Sequence, residues 1–312
     1  MAQDILRWAF VSDRSAARIA LPGGLVVVAR IVGACLAYLA VLDLTVIAAY
    51  AIGQTLVPDA AHGSFGLVAL GLAEAAALAS VLLVWRLVDR RRIAAIGMDA
   101  NNAPRRRWLK GALVAALMMG FVVLIGYTLV DGASWNLNSD ATRAAVGLIA
   151  GLLGFAIQGP AEEVLFRGYI LVNVRQQWGL RPALIVSSLA FGLLHVSNPA
   201  FGILPFINLV LFGLGMSLYR VYVDADQLWG VFAIHSIWNW LQQVVFGLPN
   251  SGITSVPDLA LFTVTPNASL PGPLWGGGFG PEGTLAASLA LLALIFGSLR
   301  VRRVGGGGHL DV

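Results

Sequence analysis

The chain has 312 residues, 58% of them hydrophobic and only 12% charged, with 20 Lys and Arg against 16 Asp and Glu for a formal net charge of +4. A soluble domain runs at roughly 25% charged and 45–50% apolar residues, so these proportions speak against a soluble enzyme, a nucleic-acid module and a disordered chain alike. The mean hydropathy of +0.80 is that of a polytopic membrane protein.

In chain order, residues 1–24 scatter their charges and lack the continuous apolar core of a cleavable signal peptide. They read as a cytoplasmic or interfacial lead-in with Trp8 and Phe10 on the lipid side. Apolar stretches near the length that spans a bilayer, about 20 residues, follow. They lie at Leu25–Leu56, Phe65–Trp85, Leu109–Val130, Ala144–Val174, Ala183–Val196, Phe201–Val223, Leu228–Phe246 and Thr284–Leu299. The expected fold is all-α: a membrane domain over 25–300 with about eight transmembrane helices, the fifth short, the first and fourth long enough to tilt. Gly213 and Gly215 fit close helix approach, and the single cysteine, Cys35, reads as a small buried hydrophobe. Residues 248–283, rich in Pro and Gly around Trp275 and Phe279, read as a long extracytoplasmic loop, and 301–312, containing His309, as a flexible tail. No repeat of broken helices of the secondary-transporter kind is present.

Orientation follows from the basic residues. Arg86, Arg90, Arg91, Arg92, Arg105, Arg106, Arg107 and Lys110 separate spans two and three. Arg175 and Arg181 separate four and five, and Arg300, Arg302 and Arg303 follow span eight. The opposite loops at 57–64 and 248–283 hold no Lys or Arg, so both termini are expected in the cytoplasm. Topology alone accounts for the net charge, and no nucleic-acid partner is expected. The partners expected are the bilayer itself, here a bacterial inner (plasma) membrane, and a membrane-borne peptide.

Ionisable groups at membrane depth are costly and mark function by default. Span four holds Glu162, Glu163 and Arg167, span five ends on Phe191 and His195, and span seven holds His235 and Asn239. Glu163 and Arg167 stand four residues apart on one face and are expected to pair, while Glu162 points about 100° away toward another helix. Phe191 and His195 share a face, as do His235 and Asn239. At 1.5 Å per residue, Glu162 and His195 lie about 20 Å from the basic ends of their spans and His235 about 14 Å, all in the middle of the bilayer. Pro160 is expected to kink the fourth span just before the glutamates. Asp43, Glu74 and Asn208 stand alone and read as structural, and Arg30 as snorkelling to the interface.

Glu162-Glu163-x-x-x-Arg167, Phe191-x-x-x-His195 and His235-x-x-x-Asn239 together resemble the three motifs of the CAAX prenyl protease and bacteriocin-processing (CPBP, or Abi) intramembrane protease family, over a core at about 144–246. The resemblance implies hydrolysis of a peptide bond in a membrane-embedded or lipidated segment. Glu162 is then the general base, His195 its partner on the attacking water, His235 and Asn239 the oxyanion donors, and Glu163 and Arg167 a supporting ion pair. Glu162, His195 and His235 are also acceptable Zn²⁺ ligands, so a zinc mechanism and a metal-free glutamate mechanism both stand at this point. A catalytically silent scaffold or immunity protein, or a proton-coupled transporter, are the readings from other classes.

Overall fold

The computed structural model describes residues 23–56, 62–253 and 256–305. The lead-in with Trp8 and Phe10, most of the first loop and the tail with His309 lie outside the described residues.

Each expected span corresponds to a helix. They are α1 (Gly24–Leu56), α2 (His62–Leu83, continued by π-helical Val84–Val88), α3 (Pro104–Phe121, continued by π-helical Val122–Val130) and α4 (Ala141–Trp178). After them come α5 (Leu180–Leu194), α6 (Ile203–Leu218, continued by π-helical Tyr219–Val223), α7 (Trp229–Trp240, continued by π-helical Leu241–Val245) and α8 (Leu285–Gly305). Among the described residues five of these, α1, α2, α3, α4 and α6, are long and apolar enough to cross a membrane, while α5 and α8 are shorter apolar helices. The outward faces carry exposed leucine, isoleucine and valine, for example Leu36, Leu44, Ile47, Leu113, Leu117 and Ile149. Such a surface needs lipid to cover it, and the protein is an integral membrane protein.

Local chemistry sets the helix ends. Pro104 opens α3, where its missing N–H costs nothing, and the Asp140 carboxylate caps α4 by accepting from the Arg143 N–H at 3.0 Å. Only Gly179 separates α4 from α5, and its φ of +88° is a conformation that a residue with a Cβ avoids. Pro160 lies inside α4, and the helix opens into a π-helical stretch, Val164–Ile170, directly after the glutamate pair.

Helix α4 is the centre of the bundle. It packs on α2 and α7, and its segment from Ala161 to Leu171 is buried throughout. Helix α3 lies along α7, and α6 sits between α5 and α8. Glycines set these approaches: a Cβ on Gly111 of α3 would lie 2.2 Å from the Gly230 carbonyl oxygen of α7. A Cβ on Gly213 would lie 2.8 Å from Ser188 Cα of α5, and one on Gly215 would lie 2.9 Å from Leu294 of α8, the role expected for both residues. Cys35 is half-buried against the core.

The basic end is stitched by ion pairs as well as marked by charge. Arg30 pairs with Asp89 at 3.1 Å instead of only reaching for the interface, Arg175 pairs with Asp226 at 2.7 Å, and Arg107 pairs with Asp224 at 3.4 Å. Asp224 also accepts from the Gly230 N–H at 2.6 Å, satisfying a first-turn amide of α7. At the other end the expected loop carries regular structure: β1 (Ser134–Leu137) pairs antiparallel with β2 (Phe262–Thr265), a small departure from an all-α chain. Asn208 is structural, as expected. It donates to the Glu282 and Thr284 carbonyls at 2.7 and 2.9 Å and accepts from Ser288 at 2.7 Å, tying α6 to this loop and to α8. Glu74 is not alone, since it accepts from the Tyr38 hydroxyl at 2.6 Å and so joins α2 to α1. Asp43 is exposed.

Two outcomes follow from this packing. Gly111→Val should lower the melting temperature in detergent by driving α3 off α7, an overpacking cost of about 1–3 kcal/mol or more. Gly120→Ala, with open space around it, should leave it unchanged or raise it. In the loop, burial pushes the Glu282 carboxyl up to about 7, against hydrogen bonds from Gln242 and Ser251 that hold it down. A carboxyl that keeps its proton better when folded stabilises the fold below the unfolded value of about 4.3, and that gain is lost as pH rises through about 7. Melting temperature should therefore fall between about pH 5 and pH 8, and Glu282→Gln should flatten that dependence.

Candidate active site

The three sequence motifs meet at one place. Glu162 and Glu163 stand where α4 passes into its π-helical stretch, His195 caps the end of α5, and His235 and Asn239 lie on α7. His195 is thus just past its helix, where the chain turns and its N–H bonds the Gly192 carbonyl at 3.3 Å. All five side chains are buried, as are Arg167 and Phe191.

The expected ion pair is present: Arg167 Nη1 donates to Glu163 Oε1 at 2.9 Å, with both side chains fully buried. The same oxygen meets His235 Nδ1 at 2.8 Å, so Glu163 joins α4 to α7 as well as pairing within its own helix. Phe191 and His195 share a face, as expected, and the Phe191 ring forms a wall, its centroid 4.9 Å from that of His195 and 6.0 Å from that of His235. The Arg167 guanidinium sits 4.4 Å over the same ring, a cation–π contact.

Two further side chains belong to the site. Phe212 of α6 stacks on Phe191 at 5.6 Å and meets the His235 ring edge-on at 5.2 Å. Gln158 of α4 donates to Glu162 Oε1 and accepts from Asn239 Nδ2 at 2.8 Å. Gln158 was visible in sequence as an amide one turn before Glu162, inside an apolar run. Phe212 carried no such signal, because one more phenylalanine in an apolar span is unremarked.

Partners fix the tautomers. His195 Nδ1 lies 2.9 Å from the Phe191 carbonyl oxygen, which can only accept, so Nδ1 carries the proton and Nε2 is left as the working nitrogen. His235 Nδ1 likewise faces a carboxylate and presents Nε2 to Glu162 Oε2 at 3.9 Å, beyond a direct hydrogen bond. Glu162 Oε2 is buried and has no hydrogen-bond partner among the described residues.

A zinc site would need three such donors converging on one point. Among the described residues no three His, Cys, Asp or Glu side chains are grouped closely enough to hold a metal ion. As the side chains stand, Glu162, His195 and His235 do not fit that group.

Residues 143–241, about a third of the chain, match the family described as type II CAAX prenyl endopeptidase Rce1-like. The family resemblance read from the three motifs therefore holds for the segment that contains them. The match supports a CAAX-type intramembrane endopeptidase at the level of the family. No curated protein and no solved structure matches the chain.

The ion pair makes a direct prediction. Arg167→Ala strands the Glu163 carboxylate and should lower stability by about 3–5 kcal/mol, read as a lost melting transition or poor accumulation. The paired change Arg167→Met with Glu163→Gln leaves no uncompensated charge and should recover most of that loss.

Proposed function

We propose that the protein is an intramembrane endopeptidase that hydrolyses one peptide bond of a membrane-embedded or lipidated segment. The segment reaches the site laterally or from the cytoplasmic side. In this reading all eight helices cross the bilayer of a bacterial inner membrane with both termini in the cytoplasm, and the protease core covers about 144–246. The observation that carries the proposal is a carboxylate oxygen with no hydrogen bond among the described residues, Glu162 Oε2, held 3.9 Å from an imidazole nitrogen inside a buried network from three helices.

Glu162 Oε2 takes a proton from a water whose second hydrogen bonds to His195 Nε2, and the oxygen attacks the substrate carbonyl carbon. The carbonyl oxygen becomes an oxyanion and accepts from His235 Nε2 and Asn239 Nδ2. To donate from Nε2 while Nδ1 also donates to Glu163, His235 must be an imidazolium. Two carboxylates, Glu162 and Glu163, then balance two cations, His235 and Arg167. Glu162 returns its proton to the leaving nitrogen, the C–N bond breaks, and a carboxylic acid, still holding the second water hydrogen, and an amine leave. No step runs through a metal, and Asn239, a poor zinc ligand, has a role in this scheme.

The test uses the purified full-length protein in liposomes with two quenched fluorogenic peptides, one with a hydrophobic spanning segment and one ending in an S-farnesylated CAAX sequence. Wild type should cut at least one. Glu162→Gln keeps the volume but cannot take the proton, so it should abolish cleavage while melting as wild type does. Asn239→Ala should slow cleavage about 100–1000-fold without abolishing it, as for one lost oxyanion donor. Failure of wild type to cut either peptide would move the reading to a scaffold or transporter, and cleavage retained by Glu162→Gln would show that Glu162 is not the base. Stoichiometric zinc, with activity lost to a chelator and restored by zinc, would replace the glutamate mechanism with a metal one.

A further inference from the structure

The base and the oxyanion donor of this reaction lie on different helices, and one side chain joins them. Gln158 is 8% exposed and sits one turn before Glu162 on α4. Its amide nitrogen donates to Glu162 Oε1, and its carbonyl oxygen accepts from Asn239 Nδ2 at 2.8 Å.

Chemistry fixes the direction of this chain. A carboxylate can only accept, so Gln158 turns its NH₂ to Glu162. Its carbonyl then faces α7 and needs a donor, which only the nitrogen side of the Asn239 amide can supply. The accounting leaves one working group at each end. Glu162 spends Oε1 and keeps Oε2, the oxygen with no hydrogen-bond partner among the described residues. Asn239 spends one of its two N–H groups and keeps the other.

We propose that Gln158 is a positioning residue for peptide-bond hydrolysis. It holds the Glu162 carboxylate with Oε2 toward the attacking water and the Asn239 amide with its second N–H toward the oxyanion. The proposal rests on the protease reading above. A hydrogen bond to a charged group is stronger than one between neutral groups, and neighbouring bonds polarise one another. The chain is therefore strongest while Glu162 is ionised and ready to act as base.

The alternative role is a lock that merely pins α4 to α7, and the two roles differ in what they move. Gln158→Met keeps the length and loses both hydrogen bonds. In liposomes, on the peptide that wild type cuts faster, its kcat should fall about 10–100-fold, the size of lost bonds to a charged group. KM should stay within about twofold, since the loss falls on the transition state and not on substrate binding. Gln158→Glu keeps the acceptor for Asn239 but faces Glu162 with a second acceptor, so its kcat should fall at least as far. This second variant carries the same test should Gln158→Met fail to accumulate. Combining Gln158→Met with Asn239→Ala should cost less than the product of the two single losses, because both act through one chain.

Wild-type kcat in either Gln158 variant, with or without a lower melting temperature, overturns the proposal, as do fully multiplicative losses in the double variant. If wild type cuts neither peptide, the protease reading fails and this proposal falls with it; if Glu162→Gln still cuts, Glu162 is not the base and Gln158 has no base to position. If Glu162→Gln is dead and Gln158→Met keeps wild-type kcat, only the role of Gln158 is wrong.

Discussion

Everything at the centre of this protein depends on keeping ionised groups inside an apolar bundle. A charge in an apolar interior costs several kcal/mol unless it is both paired and hydrogen-bonded. Glu163 meets that demand with one oxygen, which serves Arg167 within α4 and His235 across to α7. The Glu163–His235 contact ties α4 to α7 at the charged residues. Arg167 is supported in turn by the face of Phe191, so the cation rests on a ring that also walls both imidazoles.

The bundle is arranged around that requirement. Helix α4 is buried along the turn that carries the charged residues and changes to π-helical winding there. Interruptions of this kind recur at functional sites because they re-aim side chains without ending the helix. Close approach of neighbouring backbones needs small residues at the crossings, and Gly111 against Gly230 and Gly213 against Ser188 meet this need. Leucine or valine at those points would drive α3 off α7 and α6 off α5.

The two ends of the bundle are finished by different means. The basic end is held by pairs between helix arginines and loop aspartates distant in sequence, with Asp224 both pairing Arg107 and capping α7. At the other end, which lacks basic residues through 256–283, a two-stranded sheet and hydrogen bonds do most of the joining, beside a solvent-exposed Arg143–Asp258 pair at 3.9 Å. Asn208 is the link there, binding two loop carbonyls and one hydroxyl of α8.

Much of this was legible in the amino-acid order, and what was legible shares a cause. Apolar runs located the helices, because a run of about 20 apolar residues fits lipid and little else. Pairs four residues apart, Glu163 with Arg167 and Phe191 with His195, were correct because 3.6 residues per turn fixes neighbours within a helix whatever surrounds it. Contacts between helices were not legible. That His235 offers Nδ1 to Glu163 and Nε2 to Glu162, that Gln158 bridges to Asn239, that Phe212 closes the aromatic wall and that Arg30 meets Asp89 all depend on how each helix is rotated and how near it lies. The short strands were missed for the same reason, since four residues carry too little pattern to announce a partner more than a hundred positions away. The sequence by itself determined which side chains are in the membrane and which of them share a helix face. Only the tertiary structure decided which faces meet, because that is set by the packing of small residues and the pairing of buried charge across helices, and neither is periodic in the chain.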